Sequence, residues 1–95
     1  MRPTNRIPCH PGEILREEFL VPMRLTQTKL AAHLGVSSRR VNELVRGRRG
    51  VSPATAWLLS QAFRTSPEFW MNLQASHDLA VQRPRRPIRP LSKSA

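Results

Sequence analysis

The chain has 95 residues, with 16 Lys and Arg against 6 Asp and Glu, so its formal net charge is +10 at pH 7. This length allows one domain with a small core. Because a charge of this size opposes compaction, it indicates a polyanionic partner, with nucleic acid ahead of a membrane surface. The apolar runs are only a few residues long, which excludes a membrane span, and no basic amphipathic helix with a bulky apolar face is evident.

The sequence lacks the arrangements of residues that several other functions need. The amino terminus, MRPTNRIPCHPG, lacks the apolar core of a secretion signal, so we expect the protein to stay in the cytoplasm. Cys9 is the single cysteine, and the three histidines have no metal-ligand spacing, so we expect neither a metal nor another cofactor. No paired carboxylates, nucleophile with a base or phosphate loop can be assembled. We therefore expect no enzyme activity and no small-molecule substrate.

The amino-terminal part is predicted to be an irregular arm followed by a first helix. Residues 1–10 contain prolines and show no helical period. The first helix is expected to start near Pro11 or Gly12 and to end at Pro22, because proline interrupts helical hydrogen bonding.

The second and third helices are predicted from their capping residues. Thr26 suits the amino-terminal cap of a helix that runs to Leu34, and Gly35 can adopt the left-handed conformation that stops it. Ser37 then caps a third helix, which is expected to end at Gly47.

Two Ser-Pro pairs, Ser52-Pro53 and Ser66-Pro67, predict the starts of a fourth and a fifth helix. No alternating strand pattern occurs, so the fold class is all-α, with one helical domain over residues 11–82. From Arg83 onward, RPRRPIRPLSKSA has three prolines and five positive charges. Because this composition cannot bury a core, residues 83–95 are predicted to form a disordered basic tail.

The spacing of small and apolar residues between Leu25 and Gly47 predicts a helix-turn-helix unit. Ala31 lets two helices approach closely, Gly35 permits a sharp bend, and Val41 fills the crossing. An ordinary helical hairpin would need apolar spacing but not this placement of alanine and glycine.

The third helix is predicted to read DNA bases. In a helix-turn-helix the second helix lies in the major groove, and residues near its amino end reach base edges. At ~100° per residue, Val41 and Leu44 face inward while polar residues face outward. Arg39 is the first choice for a guanine contact, because its guanidinium matches O6 and N7; Glu43 is expected either to accept from cytosine N4 or to hold Arg39. The predicted base contacts are Ser38, Arg39, Asn42 and Glu43.

Phosphate contacts are predicted around this helix. Gln27, in the first turn of the second helix, can place its amide against a phosphate beside backbone N–H groups. The basic residues nearby would supply affinity that depends on salt but little specificity. The predicted phosphate contacts are Gln27, Lys29, Arg40, Arg46, Arg48 and Arg49. For all of these side chains the alternative is a solvated helix surface.

Residues 25–63, LTQTKLAAHLGVSSRRVNELVRGRRGVSPATAWLLSQAF, resemble the five-helix DNA-binding domain of phage repressors of the Cro/C1 (XRE) type. The flanking motifs HPGEILREEFL and SPEFWMNLQASHDL resemble the HigA family of bacterial antitoxins, also called VapI-like. The resemblance implies a homodimer. Because repressors with a helix-turn-helix read two half-sites about one helical turn apart, we expect an inverted-repeat operator and a protein associated with the nucleoid. The resemblance also implies a HigB toxin partner, an mRNA-cleaving ribonuclease of the RelE type, whose operon the protein represses.

In this family the carboxy-terminal helix commonly mediates dimerisation, which would place Phe69, Trp70 and Leu73 partly at the interface. Two alternatives stay open. The protein is a stand-alone phage-type repressor without a toxin, or it is mainly an inhibitor or adaptor that keeps the helix-turn-helix as a scaffold.

Overall fold

The computed structural model describes residues 7–92, and within them the chain forms five helices and no strand. The first helix, α1, is continuous through an α-helical turn, a π-helical segment and a second α-helical turn. Their bounds are Pro11–Ile14, Leu15–Leu20 and Val21–Met23. The others are α2 (Gln27–Leu34), α3 (Ser38–Val45), α4 (Pro53–Phe63) and α5 (Pro67–Val81). The predicted five-helix, all-α fold is confirmed.

Side-chain caps start the four later helices. The hydroxyl groups of Thr26, Ser37, Ser52 and Ser66 each accept a hydrogen bond from the backbone N–H three residues on, at 3.1, 3.1, 3.3 and 3.0 Å. Each bond satisfies a backbone donor that has no partner inside its helix. Proline follows as the first helical residue of α4 and of α5. These caps lie where the sequence predicts them.

The turn between α2 and α3 depends on Gly35. Its φ of 77° lies in the left-handed region, and a Cβ there would meet no atom within 4 Å. The backbone conformation, and not close packing, therefore favours glycine at this position. The N–H of Val36 closes the turn by donating to the carbonyl of Ala31 at 3.0 Å. The third helix stops at Val45 and does not reach Gly47, which lies in the following turn with φ 73°.

The prediction that the first helix ends at Pro22 is wrong, because α1 continues through Pro22 to Met23. Proline lacks an N–H and normally collides with the carbonyl four residues earlier. We attribute its tolerance here to the π-helical segment just before it, where the N–H of Val21 donates to the carbonyl of Arg16, five residues back. The helix ends when Arg24 adopts a left-handed conformation, with φ 51°.

Apolar side chains from all five helices and from the loop before α4 form one core. The predicted contact between α2 and α3 is confirmed, since the two helices pack against each other and Ala31 and Val41 both lie in the buried core. The buried apolar residues are Leu15, Leu20, Leu30, Ala31, Val41, Leu44, Val51, Ala56, Leu59 and Trp70.

Trp70 on α5 lies at the centre of an aromatic cluster and has no exposed surface. Its ring centroid is 5.5 Å from that of Phe19, 6.5 Å from that of Phe63 and 5.1 Å from that of Phe69. The indole N–H donates to the hydroxyl of Thr65 at 2.7 Å, so the polar atom is satisfied. This cluster joins α1, α4 and α5.

The burial of Trp70 argues against its predicted place at a dimer interface. A side chain without exposed surface in the protomer offers nothing for a second chain to contact. Its neighbour Phe69 is 38% exposed and Leu73 is partly buried, so these two remain available to a partner. The difference arises because adjacent helical residues point in directions ~100° apart.

The two ends of the chain carry little regular structure where they are described. Residues 83–92 form neither helix nor strand, and each is exposed. Residues 1–6 of the predicted arm and residues 93–95 of the predicted tail lie outside the described residues. Within the range 7–92, no helix is long and apolar enough to cross a membrane.

Candidate nucleic-acid interface

The α2–turn–α3 unit fixes the direction of the polar face of α3. Leu30 and Ala31 on α2, with Val41 and Leu44 on α3, are all buried, so α3 cannot rotate without exposing them. The opposite face of α3 is open and carries the four residues predicted to contact bases. Ser38, Arg39 and Asn42 are exposed, whereas Glu43 is partly buried.

Of the two charged residues on this face, Arg39 is much more exposed than Glu43. Its side chain is 87% exposed, and its only described ionic contact is from Nε to Oε2 of Glu43, at 3.5 Å. At this distance and exposure the pair is weak. The guanidinium therefore lies near the amino end of α3 with most of its donors directed to solvent, as a base-reading arginine requires.

Glu43 connects two arginines on this face. Its Oε1 accepts hydrogen bonds from Nε and Nη2 of Arg49 at 3.2 and 2.9 Å, while Oε2 faces Arg39. The hydrogen bond from Arg49 is the main reason why the pKa of Glu43 is lowered. An ionised Glu43 can only accept, and both of its oxygens face arginines. Of the two predicted roles, this geometry favours holding Arg39 over a cytosine contact.

Asn42 and Gln27 also contact each other, although one was predicted for bases and the other for phosphate. The Asn42 amide donates from Nδ2 to Oε1 of Gln27 at 3.0 Å. The bond links the outer face of α3 to the first turn of α2. It leaves the Gln27 NH₂ group free to donate to a phosphate beside the amino terminus of α2.

Arg40 differs from the other residues predicted to contact phosphate. It is partly buried, and its Nη2 donates to the hydroxyl of Thr55 on α4 at 2.7 Å. Thr55 is itself buried and receives a second hydrogen bond from Ser52. This contact attaches α3 to α4, which argues for a positioning role. From the helical period alone, Arg40 is predicted to be a surface cation that contacts phosphate. The sequence gives no indication of its hydrogen bond to Thr55.

The loop after α3 is held in place by α5. The side-chain carbonyl of Gln74 accepts from the backbone N–H of Val51 at 2.7 Å, and its NH₂ group donates to Asp78 at 2.9 Å. Gln74 is buried, so both halves of its amide need these partners. The loop that they fix carries the exposed side chains of Arg46 and Arg48.

His10 caps α1 on the side of the domain next to this loop. Its Nδ1 accepts from the N–H of Gly12 at 2.9 Å, and its ring lies 5.1 Å from that of His77, edge to face. A Cβ on Gly12 would collide with the backbone carbonyl of Leu44, so only glycine lets α1 approach α3 this closely. His77 in turn bonds through Nδ1 to the carbonyl of Pro8 at 2.8 Å. These contacts tie the segment before α1 to α3 and α5.

The His10 cap predicts a loss of stability in acid. Burial lowers the pKa of His10 below its ordinary 6.5, and His77 lowers it further, against the opposing effect of Asp78. The folded protein thus binds this proton less readily than the unfolded chain does. Its contribution to stability is present above the ordinary pKa and is lost as the pH falls through the lowered pKa.

We expect the wild-type melting temperature to fall more between about pH 7.5 and about pH 5 than that of His10→Asn, measured by circular dichroism. Asparagine caps a helix but does not titrate in this range, so it is the matched control. Equal pH dependence of the two proteins would show that His10 does not titrate differently in the folded state.

An all-α fold with two short helices at a glycine turn, and a basic, open second helix, defines the helix-turn-helix class of DNA-binding domain. The helix-turn-helix family model matches residues 15–70. The chain belongs to this family and, within it, to the HigA antitoxins, as its relatives show. The predicted resemblance is confirmed.

Three similar proteins illustrate this membership. Virulence-associated protein I of Dichelobacter nodosus is 46% identical over 78 residues, or 81% of this chain and 72% of the relative. Antitoxin HigA-1 of Vibrio cholerae serotype O1 is 42% identical over 79 residues, or 83% of this chain and 74% of the relative. The solved structure of Pseudomonas aeruginosa antitoxin HigA with the higBA promoter is 49% identical, with a TM-score of 0.76, and the match covers 78% of this chain and 80% of that one.

Proposed function

We propose that the protein is a repressor that binds operator DNA through α3 and also acts as the antitoxin of a HigB-type toxin. The observation that carries the DNA-binding role is the open face of α3, where Arg39 is 87% exposed beside Glu43 and Arg49. The packing of α2 on α3 leaves this face, and no other face of α3, free to enter a major groove. The cations of the following loop would bind the flanking phosphates.

A homodimer is part of the proposal, because one helix-turn-helix offers a small contact area and repressors of this class read two half-sites. Apolar side chains exposed on α4 and α5 support it. Trp57 is 57% exposed and Leu79 is 74% exposed, while Phe69 is 38% exposed and Leu73 is partly buried. A second copy that covers these residues would remove apolar surface from water.

Toxin neutralisation is proposed from the family. A relative that is 42% identical over 79 residues bears the name antitoxin HigA-1. The resemblance to the HigA family implies that the partner is a HigB ribonuclease of the RelE type. A stand-alone repressor and an adaptor with a scaffold helix-turn-helix are the competing functions.

The DNA-binding role is tested by titrating the protein's own promoter in a gel-shift assay with excess competitor DNA. We expect a dimer on an inverted repeat, with half-site centres about one helical turn, roughly 34 Å, apart. Sedimentation measures the dimer independently. An adaptor would show no preference over competitor, and a monomer that binds one half-site as tightly as the full operator would contradict the dimeric mode.

The antitoxin role is tested by co-expression with the product of the adjacent gene. We expect the two proteins to co-purify. We also expect the mRNA cleavage seen when the neighbour is expressed alone to stop when this protein is expressed with it. If the neighbour is not a ribonuclease, or is not inhibited, while the gel shift succeeds, the stand-alone repressor is the correct description.

A further inference from the structure

The segment after α5 has a regular three-residue repeat that the helix-turn-helix does not explain. Residues 83–91, here called the arginine arm, consist of three Arg-Pro-x triplets, in which x is Arg, Ile or Leu. Every residue of the arm is exposed, and the arm contains no acidic residue. The triplets are Arg83-Pro84-Arg85, Arg86-Pro87-Ile88 and Arg89-Pro90-Leu91.

A period of three has a specific meaning in a proline-rich segment. Proline restricts φ to values that favour the polyproline II conformation, which has three residues per turn and rises about 3.1 Å per residue. When the arm is extended in this way, Arg83, Arg86 and Arg89 lie on one side, about 9 Å apart. The prolines form a second side. The arm would then be a narrow rod with one row of arginines.

The arm follows α5, which contacts the cationic loop of the candidate DNA interface. The middle of α5 contacts this loop directly, because Gln74 bonds to Val51 at 2.7 Å. Farther along α5, His77 packs against His10, and a Cβ on Gly47 would lie 3.7 Å from the His10 ring. Four residues separate His77 from Val81, or about 6 Å of helix. Extended at about 3.1 Å per residue, the nine residues of the arm span about 28 Å, so the arm can reach the phosphate-binding side of the domain from the end of α5.

Charge directs the arm away from its own domain and toward DNA. The arm carries four arginines in a chain with a net charge of +10, so packing on its own surface is opposed by repulsion. All of its cations are arginines. The guanidinium group is planar and more weakly hydrated than the ammonium group of lysine, so it loses less hydration energy when it enters a narrow minor groove. A polyproline II rod has no internal backbone hydrogen bonds, so no secondary structure has to break when it enters that groove.

We propose that the arginine arm is a second DNA-binding element, which lies in the minor groove flanking the half-site read by α3 and directs Arg83, Arg86 and Arg89 into it. The span from Arg83 to Arg89 is about 19 Å, or between five and six base pairs. The arm would favour A·T-rich flanks, whose minor groove is narrow and strongly negative. This inference rests on the proposed binding of operator DNA.

The test uses the full chain and two operator duplexes that share one core and differ only in A·T-rich or G·C-rich flanks. We expect the wild type to prefer A·T flanks by about five- to tenfold, the lower end of what one altered base pair costs. The key variant is Arg83→Lys with Arg86→Lys and Arg89→Lys. It keeps every charge, so its salt dependence should match the wild type while its flank preference disappears.

A hydroxyl-radical footprint should show protection of the flanking minor groove by the wild type and not by the triple lysine variant. The inference is wrong if the wild type has no flank preference, or if the lysine variant keeps the preference and the footprint, because the arm then acts only as charge. Arg39→Ala separates this result from the proposed function: it should lose discrimination of the core and keep the flank preference. Absence of binding to any operator duplex would instead contradict the proposed function itself.

Discussion

We expect Trp70→Ala to lower the free energy of unfolding by about 3 to 5 kcal/mol, the cost of truncating a fully buried aromatic side chain. For a domain of this size, that loss corresponds to a melting temperature lower by more than about 10 °C. The reason is the position of Trp70 among three phenylalanines, where it joins α1, α4 and α5. The variant also leaves the hydroxyl of Thr65 without its indole donor.

Trp57→Ala is the matched control for this effect, because it makes the same substitution on a side chain that is 57% exposed. We expect a much smaller change in melting temperature, with any loss seen instead in the dimer fraction measured by sedimentation. If Trp70→Ala melts like the wild type, Trp70 is not the centre of the core and its place at an interface must be reconsidered.

The helix boundaries could be predicted because their causes are local. A serine or threonine cap, a proline at the first helical position and a left-handed glycine each act within a few residues, and Ser37, Ser52 and Gly35 are found as expected. Pro22 shows the limit of the same approach. The rule that proline ends a helix does not include the π-helical turn that precedes it.

The contacts that orient the interface could not be predicted, since they join distant parts of the chain. Arg40 bonds to Thr55 across 15 residues and Val51 to Gln74 across 23, through single side-chain groups that leave no period in the sequence. Which of two adjacent residues in α5 is buried also depends on how the helix is rotated about its own axis against the core. Trp70 and Phe69 have similar apolar character, and only the packing separates them.

The charges on the outer face of α3 form a small network with an excess of arginine. Glu43 faces both Arg39 and Arg49, so one carboxylate orients two guanidinium groups and neutralises only one. On DNA, each arginine can exchange its contact with Glu43 for a base or a phosphate at little cost, because exposed ion pairs contribute little stability. The weak contact with Glu43 leaves the guanidinium of Arg39 on the outer face of α3, near the amino end of the helix.

We therefore expect Arg39→Ala to weaken operator binding by about 1 to 3 kcal/mol and to leave binding to a duplex with a scrambled core nearly unchanged. The fold should be unaffected, because the side chain is 87% exposed. Deletion of residues 83–95 removes five positive charges, so it should weaken both duplexes together when their flanks are the same. The affinity of the deletion variant should also fall less steeply with salt concentration, since fewer phosphate or groove contacts release counterions.

Salt titrations of both variants on the two duplexes measure these effects in one experiment. Loss of a base-reading residue changes the ratio of the affinities for the two duplexes. Loss of a cation that contacts only the phosphate backbone lowers both affinities by the same factor. Because the two variants lie in different parts of the chain, their effects should add when they are combined. If Arg39→Ala instead weakens both duplexes equally and only the deletion reduces discrimination, α3 does not read the operator and the base contacts must lie elsewhere.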